Sequence, residues 1–189
     1  YISSTHIAVF KNIINAQTGA KMGELSMNGV SGGALSLIDV KYIDGKIVGC
    51  NIATNASGQN TFKIYCWDND LAQPRVILST TNIGGKARIG DCMNLRGDLT
   101  NGSFSFAAGG ATEANSVLTY SITNGVVSTT PTSVNITDDT GSEGIILGLS
   151  PRIVPEQGGQ FWGIGQNYLP TLFQENGRAR ATLNQEVLT

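Results

Sequence analysis

Charge is scarce in this sequence: 14% of its 189 residues are Asp, Glu, Lys or Arg, and the net charge is −2. A chain so weakly charged has no long-range field to draw it to nucleic acid or to an anionic membrane surface, and neither is expected as a partner. Histidine is scarcer still. The single His6 excludes a His-rich metal site, and its place near the terminus argues against a Ser-His-Asp or Cys-His catalytic set. No cofactor is expected. No run approaches the ~20 apolar residues that cross a bilayer as a helix, so no transmembrane segment is expected. There is no basic-then-apolar leader, and residue 1 is Tyr rather than Met, which suggests a processed or truncated product. The three cysteines, Cys50, Cys66 and Cys92, are odd in number and lack metal-ligand spacing. Cys50 and Cys66 fall on neighbouring strands, but a reversal centred near Ser57 pairs Cys50 with Ile64 and offsets the two sulfurs. Buried free thiols are therefore expected rather than a disulfide.

What the chain has in quantity is glycine, 24 residues, with many Asn, Ser and Thr, a composition that favours turns and strands. The stretch 37–80 shows how they are used. Four runs rich in Val, Ile, Tyr, Phe and Thr, at 37–42, 46–52, 62–67 and 75–80, are separated by turn chemistry. Asp44-Gly45 suits a two-residue hairpin turn, and Pro74 stands at the head of the last run, where a strand tolerates it. This is a four-stranded antiparallel meander of about the size of a propeller blade.

The pattern repeats. Trp67, Tyr120 and Phe173 recur at intervals of 53 residues, and Phe10 precedes Trp67 by 57. Each aromatic stands before a polar turn and a closing strand. A period of this length, with several short strands per unit, predicts an all-β fold: a segment of a β-propeller with four-stranded blades. The expected units are a half blade at 6–26 (strands 6–11 and 20–26) and blades at 37–80, 87–133 and 151–184. The second blade is read as strands 87–95, 102–108, 115–121 and 126–133. The third is read as 151–155, 159–165, 169–173 and 178–184. Propellers close with about four to eight blades, so three and a half predict a piece of a larger ring. The remaining blades are expected from the same polypeptide or from a partner chain.

The phrases YIDGKIVGCNIA, NTFKIYCWDNDLAQPRVIL, ARIGDCMNL and NSVLTYSITNG, all within residues 37–130, resemble an uncharacterised family of secreted or lipid-anchored Bacteroidetes proteins. Members of that family resemble propellers and often lie near glycan-uptake genes. The resemblance implies an exported protein, at the cell surface or in the periplasm of a Gram-negative bacterium, and carries no catalytic residues with it.

Ligands of propellers usually meet the innermost strands, an analogy of fold. Those strands offer Asp39, Lys41, Arg88, Asp91 and Arg152. Asp39 and Asp91 occupy similar places in successive blades, and two carboxylates in one cavity could bind a cation, bind sugar hydroxyls or act as a glycosidase acid and nucleophile. The plainer expectation is that each accepts hydrogen bonds from backbone amides of the neighbouring crossing. Trp162, beside Phe161 and near Tyr168, could stack on a sugar ring, although core packing is the simpler role. The oxygen-rich turns at 68–70 and 138–143 miss the EF-hand spacing and read as solvated turns. The sequence thus points to a non-catalytic binding or assembly module with a glycan or surface protein as its ligand. A carbohydrate-active enzyme and a structural subunit of an envelope or phage assembly are the alternatives.

Overall fold

A computed structural model describes residues 12–15, 17–109, 115–148, 150–166 and 168–183. His6, Phe10, the strand expected at 6–11 and Asn184 at the end of the last strand lie outside them. Among the described residues the fold is all-β and antiparallel, with no α-helix. A hairpin of β1 (Asn12–Ile14) and β2 (Lys21–Glu24) precedes three larger sheets.

The first sheet is a meander of β3 (Leu35–Ile43), β4 (Lys46–Thr54), β5 (Phe62–Trp67) and β6 (Arg75–Thr80). Its first turn is as the sequence requires. Asp44 and Gly45 have φ of 50° and 75°, the paired positive values of a type I′ hairpin. Cys50 does pair with Ile64, and Val48 with Cys66. The sulfurs are offset as expected, and all three cysteines are free and buried. A short strand, β7 (Arg88–Ile89), then adds to the far end of β4.

The second sheet runs β8 (Asn94–Gly97), β9 (Gly102–Ala107) and β10 (Ser116–Thr123). Two short strands, β11 (Val126–Val127) and β12 (Thr132–Asn135), both pair with β10. Asn124 and Gly125 repeat the type I′ turn, with φ of 50° and 77°. The third sheet is the meander β13 (Arg152–Pro155), β14 (Phe161–Gly165), β15 (Tyr168–Phe173) and β16 (Ala179–Thr182).

The sheets stack in chain order because strands alternate side chains between faces. On the first sheet Leu37, Tyr65 and Trp67 look backward, onto Leu25, Met27 and Val30. Val48, Cys50, Ile64 and Leu78 look forward, onto Phe104, Phe106, Leu118 and Tyr120 of the second. Phe62 meets Phe106 edge to face, with ring centroids 5.0 Å apart at 85°. A buried Phe contributes about 1.5–3 kcal/mol and an aromatic pair about 0.5–1.5 more. This ring cluster therefore fixes the first two sheets as one unit. The third sheet packs Ile153, Phe161 and Phe173 back against Ala107 and Val117.

The 53-residue repeat is realised in this stack. Trp67, Tyr120 and Phe173 each sit on the third strand of their sheet, fully buried and facing backward. Trp67 Nε1 donates to the Ser26 carbonyl and Tyr120 Oη to the Asn82 carbonyl, both at 2.8 Å. Each bond ties the aromatic to the crossing that precedes its own sheet.

Several strand boundaries differ from the sequence reading. The segment 12–19, expected as a turn, begins with β1. The turn contracts because Asn15 Oδ1 caps the amides of Gln17 and Thr18 at 2.9 and 3.0 Å. The strand expected at 87–95 splits into β7 and β8, because Gly90 turns at φ 109°. The strand expected at 126–133 splits at Pro131, which has no amide to give the ladder, and Ser128 Oγ bonds the Thr130 carbonyl there. β14 starts at Phe161 rather than residue 159, because a 3-10 turn, Gln157–Gly159, takes up the two glycines.

Candidate functional site

The first-in-sheet strands meet at Cys92–Asn94. From the first sheet, Asp39 lies opposite Cys50 and Lys41 opposite Val48, so both side chains take the forward face. Asp39 Oδ2 accepts the Met93 N–H at 2.8 Å and lies 3.3 Å from Lys41 Nζ. From the second sheet, Asn94 donates its side-chain amide to the Ile153 carbonyl of the third, and to Cys92 Sγ at 3.7 Å. The charges of Asp39, Lys41 and Arg152 all act on the Cys92 thiol. Of the residues singled out from the sequence, Asp39 and Lys41 are thus brought to the segment 92–94 by direct contacts, while Arg152, opposite Ile164 on the first strand of the third sheet, acts on the Cys92 thiol through its charge.

The other three are placed differently. Arg88 and Asp91 form their own bidentate pair, Nε to Oδ2 at 2.9 Å with a second contact from the guanidinium to Oδ1. That pair braces the junction of β7 with Gly109, whose amide donates to the Arg88 carbonyl at 2.7 Å. Trp162 lies opposite Leu172 on the forward face of the third sheet, half-buried, while Phe161 beside it faces backward and stacks on Phe173 at 5.3 Å. Cys92 and Asn94 were missed as site residues. Their signal was the phrase Gly90-Asp-Cys-Met-Asn, which the sequence reading took as continuous strand.

The electrostatics limit what the cluster can do. Burial pushes the Cys92 thiol up and Asp39 adds to the rise, outweighing the opposing Lys41 and Arg152. Burial likewise holds Cys50 well above the ordinary thiol range, with Asp39 again adding to it. A protonated thiol is a poor nucleophile and a poor metal ligand. Lys41 and Arg152 are left as the groups able to reach an acceptor from outside, Lys41 being one-third exposed and Arg152 exposed. Among the described residues no group of three or more His, Cys, Asp or Glu is placed to hold a metal ion. The turn at 138–143 satisfies itself. Asp138 Oδ1 accepts from the amides of Thr140 and Ser142 at 2.9 and 2.8 Å and from the Thr140 hydroxyl at 2.7 Å. These bonds hold its carboxyl below the usual carboxylate range.

Among the described residues no helix is long and apolar enough to cross a membrane. No protein-family model matches the chain, and no curated protein matches it. Among solved structures it is similar to the crystal structure of a DUF4623 family protein from Bacteroides eggerthii, at 20% identity and a TM-score of 0.65 over 84% of this chain. The matched part is 35% of that protein, so this chain spans about a third of its length. The likeness is one of fold, to a domain of unknown function from a Bacteroidetes genus, in keeping with the phrases at 37–130.

Proposed function

We propose that this chain is a segment of a β-propeller serving as a non-catalytic binding or assembly module, exported to the surface or periplasm of a Gram-negative bacterium. Three antiparallel sheets of four to five strands stacked in chain order, each with its third-strand aromatic facing backward, behave as consecutive blades, and β1–β2 as the outer half of one before them. The meeting of their first strands at Cys92–Asn94 is the observation that carries the reading. It is where a ring of blades has its mouth. Asp39 is engaged by the Met93 amide and Asp91 by Arg88, which supports binding over a carboxylate-pair hydrolase. Lys41 and Arg152 offer donors to sugar hydroxyls, carboxylates or the carbonyls of a surface protein.

A glycan array probed with the native-length protein tests this. At least one glycan class should be retained, and Lys41→Ala with Arg152→Ala should weaken it roughly tenfold, as expected for the loss of charge-assisted hydrogen bonds. Turnover of a glycan that vanished in a folded Asp39→Asn, Asp91→Asn variant would replace this reading with the enzyme.

A further inference from the structure

The second sheet has two unlike faces. In Ser103-Phe104-Ser105-Phe106 the phenylalanines fill the contact with the first sheet, and the serines look toward the third. The register carries this across the sheet: Ser105 pairs with Thr119 and Thr119 with Thr132. A row of three hydroxyls therefore faces another sheet. In an antiparallel sheet such alternation goes with one face packed and the other wet, yet here the polar face looks onto a neighbouring sheet.

The two sheets touch through the next row, where Ala107, Val117 and their partners meet Phe161 and Phe173. Beyond it they part, leaving a cleft of about 210 Å³. At ~30 Å³ per molecule that is room for about seven waters, or for one pyranose ring. Its far wall is apolar, formed by Ile153, Pro155 and Phe161, with Pro155 the part of it left open to the C–H face of a ring. Its rim carries Gln160, Arg96 and Glu175. One guanidinium and one carboxylate leave the cleft without net charge. Arg96 is anchored by donating to the Glu156 carbonyl, and the Glu175 side chain lies against Gly159, where a Cβ would come within 2.7 Å of it. Open grooves adjoin the cleft on both sides of the 158–160 turn, so a ring seated there could belong to a longer chain.

We infer that this cleft between the second and third sheets is a binding site for a single neutral sugar ring. Hydroxyls that both donate and accept, one amide, one guanidinium offset by one carboxylate, and an apolar wall match a polyhydroxylated ring better than an anion, a cation or a purely apolar ligand. The site is separate from the Cys92 cluster and does not depend on it.

Saturation-transfer NMR of the native-length protein with methyl glycosides of glucose, galactose and mannose and with N-acetylglucosamine tests the inference. At least one should receive transfer, with a dissociation constant on the order of 1 mM for so few atoms. Ser105→Leu, which puts an apolar side chain against Ile153 and Phe161, should abolish it. Gln160→Ala, on the rim and without a packing role, should weaken it at least ~3-fold in a protein of unchanged stability. Absence of transfer from all four sugars overturns the inference, as does transfer unchanged in both variants. Transfer that survives both and is lost in the Lys41→Ala, Arg152→Ala protein places the sugar at the first strands. That outcome overturns the cleft assignment and leaves the binding-module reading intact.

Discussion

Gly90 is the hinge on which the second sheet leaves the first, and its replacement by alanine is the sharpest test of how the two are joined. The residue has φ +109°, and an added Cβ would lie 2.0 Å from the Asn51 carbonyl oxygen and 3.2 Å from Ile52 Cα. β4 cannot retreat from it. The Asn51 side chain donates to the Thr61 carbonyl at 2.9 Å and accepts the Lys63 amide at 2.8 Å, which locks that strand to β5. Gly45 is the natural control, with φ +75° and no atom within 4 Å of its virtual Cβ. A left-handed φ costs an L-residue about 1–2 kcal/mol, and that is the whole of the expected loss in Gly45→Ala. Gly90→Ala adds a backbone clash of the kind that costs about 1–3 kcal/mol when a packed interior is overfilled, for about 2–5 kcal/mol in all. Urea denaturation of the two variants beside the parent measures the difference. If Gly90→Ala is no more destabilising than Gly45→Ala, the backbone of residue 90 does not press on β4 and the account of the junction is wrong.

Other variants probe single bonds. Asp39→Ala removes the acceptor of the Met93 amide and should cost about 1–3 kcal/mol, whereas Asp39→Asn keeps an acceptor and should recover most of it; urea midpoints distinguish them. Tyr120→Phe leaves the Asn82 carbonyl without its donor at no cost in packing, and a loss of about 1 kcal/mol is expected in thermal melts. The thiols of Cys50, Cys66 and Cys92 are all raised, chiefly by burial, so the fold keeps protons that the unfolded chain gives up. Their contribution is complete below the ordinary thiol range, and stability should decline as pH rises from about 8.5 toward the raised folded values. A Cys→Ser triple variant with an unchanged alkaline limb would show that the thiols are not its cause.

The sequence was most readable where one residue type has one physical use. Asp44-Gly45 and Asn124-Gly125 each need two positive φ values, and few other pairs accept them. The backward-facing aromatics were legible because a wide ring before a turn must be buried in every repeat. What was hidden came from approach between segments distant in the chain. Nothing local marks Gly90 as touching Asn51, and so 87–95 read as one strand. That Asp39, Lys41 and Arg152 stand on first strands is readable from the sequence, but what each of them touches is not. That the segment 92–94 meets both Asp39 and the Ile153 carbonyl depends on the break at Gly90. Trp162 shows the opposite limit. Its neighbour Phe161 takes the buried face, so alternation alone turns Trp162 outward, yet sequence cannot say whether anything covers it.

That open face carries the last prediction. Val154 and Ile164 on the forward side of the third sheet are 50% and 39% exposed, with Trp162 and Leu172 half-buried between them. The forward face of the first sheet is covered by the second and that of the second in part by the third, and the similar Bacteroides structure is almost three times the matched length. If a further four-stranded sheet covers this face in the native-length protein, charges introduced there act oppositely in two settings. In the isolated 189-residue chain, Val154→Lys with Ile164→Glu breaks an apolar patch that would otherwise drive self-association, and the chain should become more soluble and more nearly monomeric in ultracentrifugation. In the native-length protein the same pair would enter an interface between sheets, where a buried ion pair falls short of the apolar contacts it replaces by about 1–4 kcal/mol. Its unfolding midpoint should drop accordingly. A substitution on a face open to solvent stays within about 0.5 kcal/mol. A native-length variant as stable as its parent would mean that no sheet packs on the third, and the stack would end there.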